Sequence, residues 1–279
     1  LVPYYISYPH PDCGSRLVTG REAWGEESMR GKGWSGMLSV LGFSLFIFGW
    51  WIVSEFSHPL FVPSPWLTVM TAVELARTGF LQESILMSLG RIMGGWLLGC
   101  ALGIPLGLLM GWLPGVRAFA TPYIQGLRYI PPISFVGIFI VWFGLGEASK
   151  VMLVFYTSFF VIVINTMAGT LSAPPGVLRA ARSLGATETQ VLLQVVVPET
   201  VPYIVTGMRM AMGNAFIVIA AAEMLAARSG MGYLIWSARN FMLTDQIFVG
   251  FLGLGLLGLA TDRVFRFLAY RFLSRYRVV

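Results

Sequence analysis

The sequence predicts an all-α, polytopic membrane protein with about six transmembrane helices. Three observations carry that expectation. Of the 279 residues, 56% are hydrophobic and only 11% are charged, with a mean hydropathy of +0.74; soluble domains average about 25% charged residues. Uncharged or nearly uncharged apolar runs recur along the chain, each near the roughly 20 residues that a helix needs to cross a bilayer. The basic residues flank those runs instead of interrupting them, which is the pattern of membrane orientation. Seventeen of the 19 basic residues are Arg, and the net charge is +6. A basic balance alone is compatible with nucleic acid. The placement of these charges argues for no nucleic-acid partner and for a lipid bilayer.

Taken in order, 33–54 holds no charge and predicts the first span. The stretch 66–91 mixes apolar residues with Glu74, Arg77 and Glu83, and reads as an amphipathic helix near the interface. Span two is expected over 92–116 and span three over 121–145, broken only by Arg128. Within span three, Pro131-Pro132 interrupts the hydrogen-bond ladder, and Pro132 biases Pro131 away from helical geometry. Span four is expected over 151–170. Span five, over 202–225, contains Arg209 and Glu223. Span six, over 246–267, carries Arg263 and Arg266 near its end, where they can snorkel to the interface.

With the N-terminus inside, 12 Lys and Arg fall on the cytoplasmic side and 4 on the other. The positive-inside rule therefore puts both termini in the cytoplasm. Residues 1–36 hold acidic and basic groups and no apolar core segment, so they read as a polar cytoplasmic tail, not a signal peptide. Residues 37–279 form the transmembrane domain. Because Met29-Arg30-Gly31-Lys32 directly precedes the first apolar run, residues 1–28 are expected to lie upstream of the natural start. Two isolated cysteines, Cys13 and Cys100, and two distant histidines, His10 and His58, supply neither a disulfide framework nor a metal-ligand set.

Enzyme motifs are missing. Neither Lys32 nor Lys150 lies in a GxxxxGK[ST] phosphate loop, and there is no HExxH or GxSxG. No catalytic residue and no cofactor in this chain are expected, so the chain is not read as an enzyme. Its longest polar interruption after the amphipathic stretch is 174–201, placed in the cytoplasm by the charge count. It reads Arg179-Ala180-Ala181-Arg182-Ser183-Leu184-Gly185-Ala186, then Val195-Val196-Val197-Pro198 and Pro202. Ala180, Ala181 and Gly185 present a small-residue face at helical spacing, and the prolines are expected to end one helix and start the next.

That spacing resembles the EAA loop of bacterial ABC-importer permeases, whose pattern is EAA-xxx-G-x9-I-x-L-P. Ala180, Ala181, Gly185 and Pro198 fall on the pattern, Val195 and Val197 replace its aliphatic pair, and Arg179 stands where the family has Glu. Further stretches are similar to the nitrate/sulfonate/taurine/bicarbonate branch: Ser88-Leu89-Gly90-Arg91, Leu127-Arg128-Tyr129-Ile130-Pro131-Pro132, Trp142-Phe143-Gly144-Leu145-Gly146, Ala222-Glu223-Met224-Leu225-Ala226 and Ser229-Gly230-Met231-Gly232-Tyr233-Leu234. The resemblance implies the type I, MetI-like permease fold in a bacterial inner membrane. It implies that Arg179, Ala180, Ala181, Gly185, Ala186 and Pro198 belong to a coupling loop that docks on a separate ATP-binding subunit. Two such subunits, carrying ATP and Mg, a periplasmic or lipid-anchored substrate-binding protein and a second permease copy are the implied partners.

Ionisable residues inside spans cost about 2.5–3.5 kcal/mol each on insertion scales and need a reason to be there. Arg128, Arg209 and Glu223, with Pro131, Pro132 and Asn214, are candidates for the translocation pathway, and scaffold pairing is the competing reading. Gly230, Met231 and Gly232 are expected at an outer gate, with Met231 open to water-soluble reagents. Gly99, Gly103, Gly107 and Gly111 line one face of span two for close helix approach, within the subunit or between subunits. The alternative of a secondary transporter or channel predicts repeated halves; no repeat is visible, and such a protein leaves the cytoplasmic loop unexplained. A membrane-embedded enzyme needs a catalytic constellation near an interface, and none is visible either.

Overall fold

The computed structural model describes residues 20–58 and 60–273, with side chains from Met37 onward. They fall into two units, one ending at Ser57 and the other beginning at His58. The first is helix α1 (Gly20–Phe56), whose apolar part, Met37–Phe56, has a mean hydropathy of 1.9 and no buried residue. Residues 1–19 of the expected polar tail lie outside the described residues.

The second unit is helical throughout most of its described residues. Helix α2 (Pro65–Arg77) starts with Pro65 in the first turn and with Ser64 Oγ accepting from Leu67 N at 3.2 Å. Helix α3 (Phe80–Trp112) follows a break at Thr78-Gly79. The single amphipathic helix expected over 66–91 is therefore two elements, and its second half is the start of a 33-residue span. Mixed polarity is misleading there, because Ser84, Ser88 and Arg91 are buried against other helices.

The third expected span is broken. Helix α4 (Pro114–Arg128) ends before Pro131, a 3-10 turn runs over Pro132–Phe135, and helix α5 (Val136–Phe143) follows, the α4 and post-break helices meeting at 89°. Pro131 and Pro132 lack the N–H groups that a continuing helix needs. Helix α6 (Glu147–Leu171) is the next span. The chain then turns through α7 (Pro175–Ser183) and α8 (Glu188–Val191), passes a π-helical turn at Leu192–Val196, and runs on as α9 (Val197–Ala226). Pro198, expected to end a helix, is instead absorbed by the π turn, so α8 and α9 form one 39-residue helical stretch. A further helix, α10 (Met231–Asn240), precedes α11 (Thr244–Leu273). Among the described residues, five helices are long and apolar enough to span, and the bent α4–α5 pair makes a sixth if counted as one span.

Helix α6 is the centre of the second unit. Its neighbour α3 runs parallel to it, and the glycine stripe is the contact. A Cβ at Gly99 would meet Ser158 Cβ at 2.7 Å, one at Gly103 would meet Ile162 Cγ2 at 3.1 Å, and one at Gly107 would meet Thr166 Cβ at 2.6 Å. Gly111 faces Thr170 in the same way, and Gly95 faces Val154 at 2.6 Å. The stripe thus packs inside the subunit. Bilayers provide little hydrophobic drive between helices, so such close van der Waals contact carries the association. Gly107→Leu is expected to wedge the pair apart at a cost of about 1–3 kcal/mol. Thermal unfolding of the detergent-solubilised variant checks this, and an unchanged midpoint counts against the contact.

On the other side of α6, the antiparallel α9 approaches through Gly169 against Tyr203 and Gly207 against Asn165. Trp96, Cys100, Ile162, Ala211 and Met212 form the core where α3, α6 and α9 meet, and Trp96 Nε1 donates to Met208 O at 2.9 Å. These directions put the α7–α8 elbow at one end of the bundle. The starts of α3 and α6, the end of α9 and the start of α10 lie at the opposite end.

Candidate functional site

The elbow is built by consecutive stop and start signals. Helix α7 closes with Gly185 N donating to Arg182 O at 3.0 Å and Ala186 N to Ala181 O at 3.1 Å, a Schellman-like arrangement. Gly185 takes φ +85°, a left-handed conformation that glycine adopts without penalty. Two residues later, Thr187 opens α8 with a reciprocal capping box, its Oγ1 accepting from Gln190 N and its own N donating to Gln190 Oε1. Arg182 and Glu188 pair across the turn at 2.7 Å, and that bond raises the Arg182 guanidinium pKa above its ordinary value.

Of the residues expected in the coupling loop, Arg179, Ala180 and Gly185 are exposed, while Ala181, Ala186 and Pro198 are half-buried. No other atom lies within 4 Å of a Cβ built on Gly185, so the elbow's tip is open. Sequence reasoning passes over Leu184, which is 89% exposed beside Gly185. An isolated exposed Leu is ordinary. One on the tip of a polar elbow beside open glycine is a ready-made knob, and its place between a charged helix and a capping Thr is the available signal.

A second feature lies at mid-depth. A half-open cavity of about 640 Å³ is lined by Arg128, Tyr129, Pro132, Tyr156, Asn165 and Asn214, among others. The break between α4 and α5 makes it, by exposing the end of α4 to α6 and α9. Tyr156 fixes the height: its hydroxyl donates to Leu127 O at 2.6 Å, and it lies nine residues into the 25-residue α6, roughly 14 Å from that helix's start. Arg128 NH2 donates to Tyr129 Oη at 2.9 Å, and its guanidinium lies 4.7 Å from the Tyr129 ring centroid. Three pathway candidates, Arg128, Pro132 and Asn214, are brought together here. Pro131 is exposed just before Pro132 and does not line this cavity.

Arg209 lies elsewhere. It pairs with Asp262 of α11 at 2.6 Å, and Asp262 also pairs with Arg266 at 3.0 Å, in a larger cavity of about 1120 Å³ between α9 and α11. The pairing of Arg209 with a carboxylate, one of the two readings drawn from sequence, is what the geometry displays.

Glu223 lines neither cavity. It is 0% exposed at the end opposite the elbow, where it joins α3, α9 and the turn into α10. Its carboxylate accepts from Ser88 Oγ at 2.8 Å, from Arg91 NH1 at 2.7 Å and from Gly232 N at 2.9 Å. Arg91 donates further to Glu147 of α6 at 2.9 Å, and to Ser229 O and Oγ at 2.7 and 3.0 Å. A second Arg91–Glu147 bond closes the fork. Lys150 adds a contact to Glu147 at 3.4 Å, so two cations face two carboxylates. Sequence reasoning singles out Glu223 but misses Arg91 as its partner and Glu147 as the second carboxylate on Arg91, because both sit at the edges of apolar runs and look interfacial.

The same network corrects the outer-gate expectation. Gly230, Met231 and Gly232 are all buried, with Met231 0% exposed. The Met231 backbone N donates to Ser88 Oγ at 2.9 Å. Gly230 has φ +111°, and a Cβ there would lie 2.5 Å from the Glu223 carboxyl carbon. Met231 is thus part of the seal of this end, and a reagent in water does not reach it.

Comparison with known proteins agrees with this architecture. Residues 103–278 match the model of the family described as binding-protein-dependent transport system inner membrane component. A Brucella melitensis protein named as a probable ABC transporter permease is 36% identical over 227 residues, covering 81% of this chain and 92% of its own. The taurine transport system permease of Escherichia coli is 34% identical over 76% of this chain and 80% of its own. The nitrate import permease of Synechococcus elongatus is 36% identical over 64% and 66%. Among solved structures, an inward-facing methionine ABC transporter superposes with a TM-score of 0.57 at 19% identity, covering 68% of this chain and 97% of that one, a likeness of fold. On the family match and these relatives, the chain belongs to the binding-protein-dependent transport system inner membrane component family of ABC permeases.

Proposed function

We propose that this chain is the half-pore of an ATP-driven importer that takes up a small oxyanion or organosulfonate, such as nitrate, taurine, another sulfonate or bicarbonate. The cargo is delivered by a periplasmic or lipid-anchored binding protein. Two separate ATP-binding subunits hydrolyse ATP with Mg, and two copies of the permease form the pathway as a homodimer. Both termini and the α7–α8 elbow lie in the cytoplasm, and the buried Glu223 end faces outward. The supporting observation is the elbow itself: a locally capped, open-tipped turn with Leu184 projecting from it, on the side of the membrane to which the sequence's charge count assigns most Lys and Arg. The taurine and nitrate permeases among the relatives support the cargo class.

Native mass spectrometry of the permease co-expressed with its genomically adjacent ATPase tests the assembly. Two permeases with two ATPases are expected. In Leu184→Asp, a charge replaces the knob, and the ATPase is expected to dissociate while the permease dimer persists. A wild-type complex with one permease and no ATPase contradicts the reading, and a second, different permease replaces homodimer by heterodimer.

A further inference from the structure

We infer that the mid-membrane cavity is an anion-selecting station, in which the guanidinium of Arg128 receives the negative group of the cargo with the amide of Asn214 facing the same space. The inference rests on the importer reading and adds to it the residue that meets the cargo's charge.

The argument begins with ion pairing. Arg91 is held by Glu147 and Glu223, and Arg209 by Asp262. Arg128 and Arg263 form no ion pair among the described residues, and of these two Arg263 lies toward the elbow end of α11 beside Asp262 while Arg128 alone lines the mid-depth cavity. Its described side-chain interactions are with Tyr129, one hydrogen bond and one ring contact, and these leave most of its five N–H donors unused. Tyr156 places the end of α4, and with it Arg128, midway along the 25-residue α6, which is mid-depth if α6 spans the bilayer. At that depth an exposed guanidinium facing lipid is strongly disfavoured, so it faces water or protein. The cavity supplies room for water.

The surroundings favour an anion. The polar groups around the cavity are Arg128, two Tyr hydroxyls, a Thr and two Asn, with no carboxylate. Asn165 donates to its own helix at Val161 O, which orients its amide. Asn214 is exposed on α9 at the same cavity. A single fixed positive charge flanked by neutral donors attracts nitrate or a sulfonate and repels a cation. It binds weakly enough to release the anion, which passage requires. Pro132 contributes by breaking the helix, so that the end of α4 carrying Arg128 opens onto this space.

The test reads local charge without needing the natural cargo. Cys13 and Cys100 are replaced by Ala, and Ile217, 72% exposed in the cavity lining, is replaced by Cys. Membrane vesicles containing the complex are treated with two methanethiosulfonate reagents of similar size, one ending in sulfonate and one in trimethylammonium. The expected result is faster modification by the sulfonate reagent. Arg128→Gln should lower the sulfonate-to-ammonium rate ratio by about tenfold, the scale of one unit charge at short range in a partly desolvated site. Arg128→Lys should keep it. Asn214→Asp, which sets a negative charge in the cavity, should lower the ratio in the presence of Arg128 and serves if Arg128→Gln does not accumulate. A ratio unaltered by Arg128→Gln or by Asn214→Asp overturns the station, and so does failure of both reagents to modify the Ile217→Cys variant. ATPase co-purification in the same preparation tests the importer reading separately, because it depends on the elbow and not on Arg128.

Discussion

Glu223→Ala is expected to cost about 3–5 kcal/mol, the typical effect of removing one partner from a buried ion pair. Arg91, 3% exposed, would lose its most buried counter-charge, and Ser88 Oγ and Gly232 N would lose their acceptor. The helices involved are separated in sequence, so the damage spreads: α3, α9 and α10 lose a common anchor at the end opposite the elbow. The expected result is little monodisperse protein after detergent extraction and a strongly lowered unfolding temperature. Arg91→Met in the Glu223→Ala background should recover part of the loss by removing the stranded cation. A single variant as stable as wild type would show that the network is ornamental. A double variant no better than Glu223→Ala would show that the stranded charge is not the cause.

Gly185→Asp has the other large expected effect, and of the opposite kind. The permease itself should survive it. An Asp side chain meets open space at Gly185, and Asp is among the residues that tolerate the left-handed conformation, with a strain of roughly 1–2 kcal/mol or less. On the proposed reading, what it fills is the space in which a partner groove closes around the tip. Overpacking that contact is expected to cost about 1–3 kcal/mol, a weakening of roughly 5- to 150-fold in docking. Insertion and permease dimerisation should persist, while transport in reconstituted liposomes is lost and the ATPase detaches or runs uncoupled. Arg179→Glu, on the exposed face of α7, is the companion variant. With Arg in place of the family's Glu, the partner groove is expected to be acidic or neutral there, so Glu should weaken docking. Normal transport by Gly185→Asp would falsify the coupling role of the elbow.

The elbow is the most legible part of the sequence, for a physical reason. Its turn chemistry is local: Gly185 acts on backbone groups within a few residues, so spacing exposes it. The capping box of Thr187 and Gln190 is equally local and legible, and sequence reasoning passes over it. The spans are legible as apolar runs, yet their limits are not. The first turns of α3 carry Ser84, Ser88 and Arg91, polar by type but buried, with Ser88 and Arg91 bonded to α9 and the turn into α10, and a one-dimensional reading places them at the interface. The bend at Pro131-Pro132 is foreseeable from the missing N–H groups; its 89° size is not, because packing of α5 against Leu153 and Ala222 sets it. Glu223 illustrates the general limit. A lone intramembrane carboxylate announces a requirement for partners but does not name them, and here the partners lie 132 and 135 residues away.

The stop at Gly185 and the capping box at Thr187 also bear on the entropy of assembly. Every hydrogen bond that shapes the turn closes within six residues. If the elbow docks as proposed, the docking element therefore has a fixed shape before a partner arrives. A floppy loop of this length would have to surrender its backbone freedom on association, about 1–2 kcal/mol for each residue ordered. A preorganised one gives up little. Contact free energy at the tip then goes into holding the two subunits together and transmitting force between them, instead of into folding the contact each time it forms.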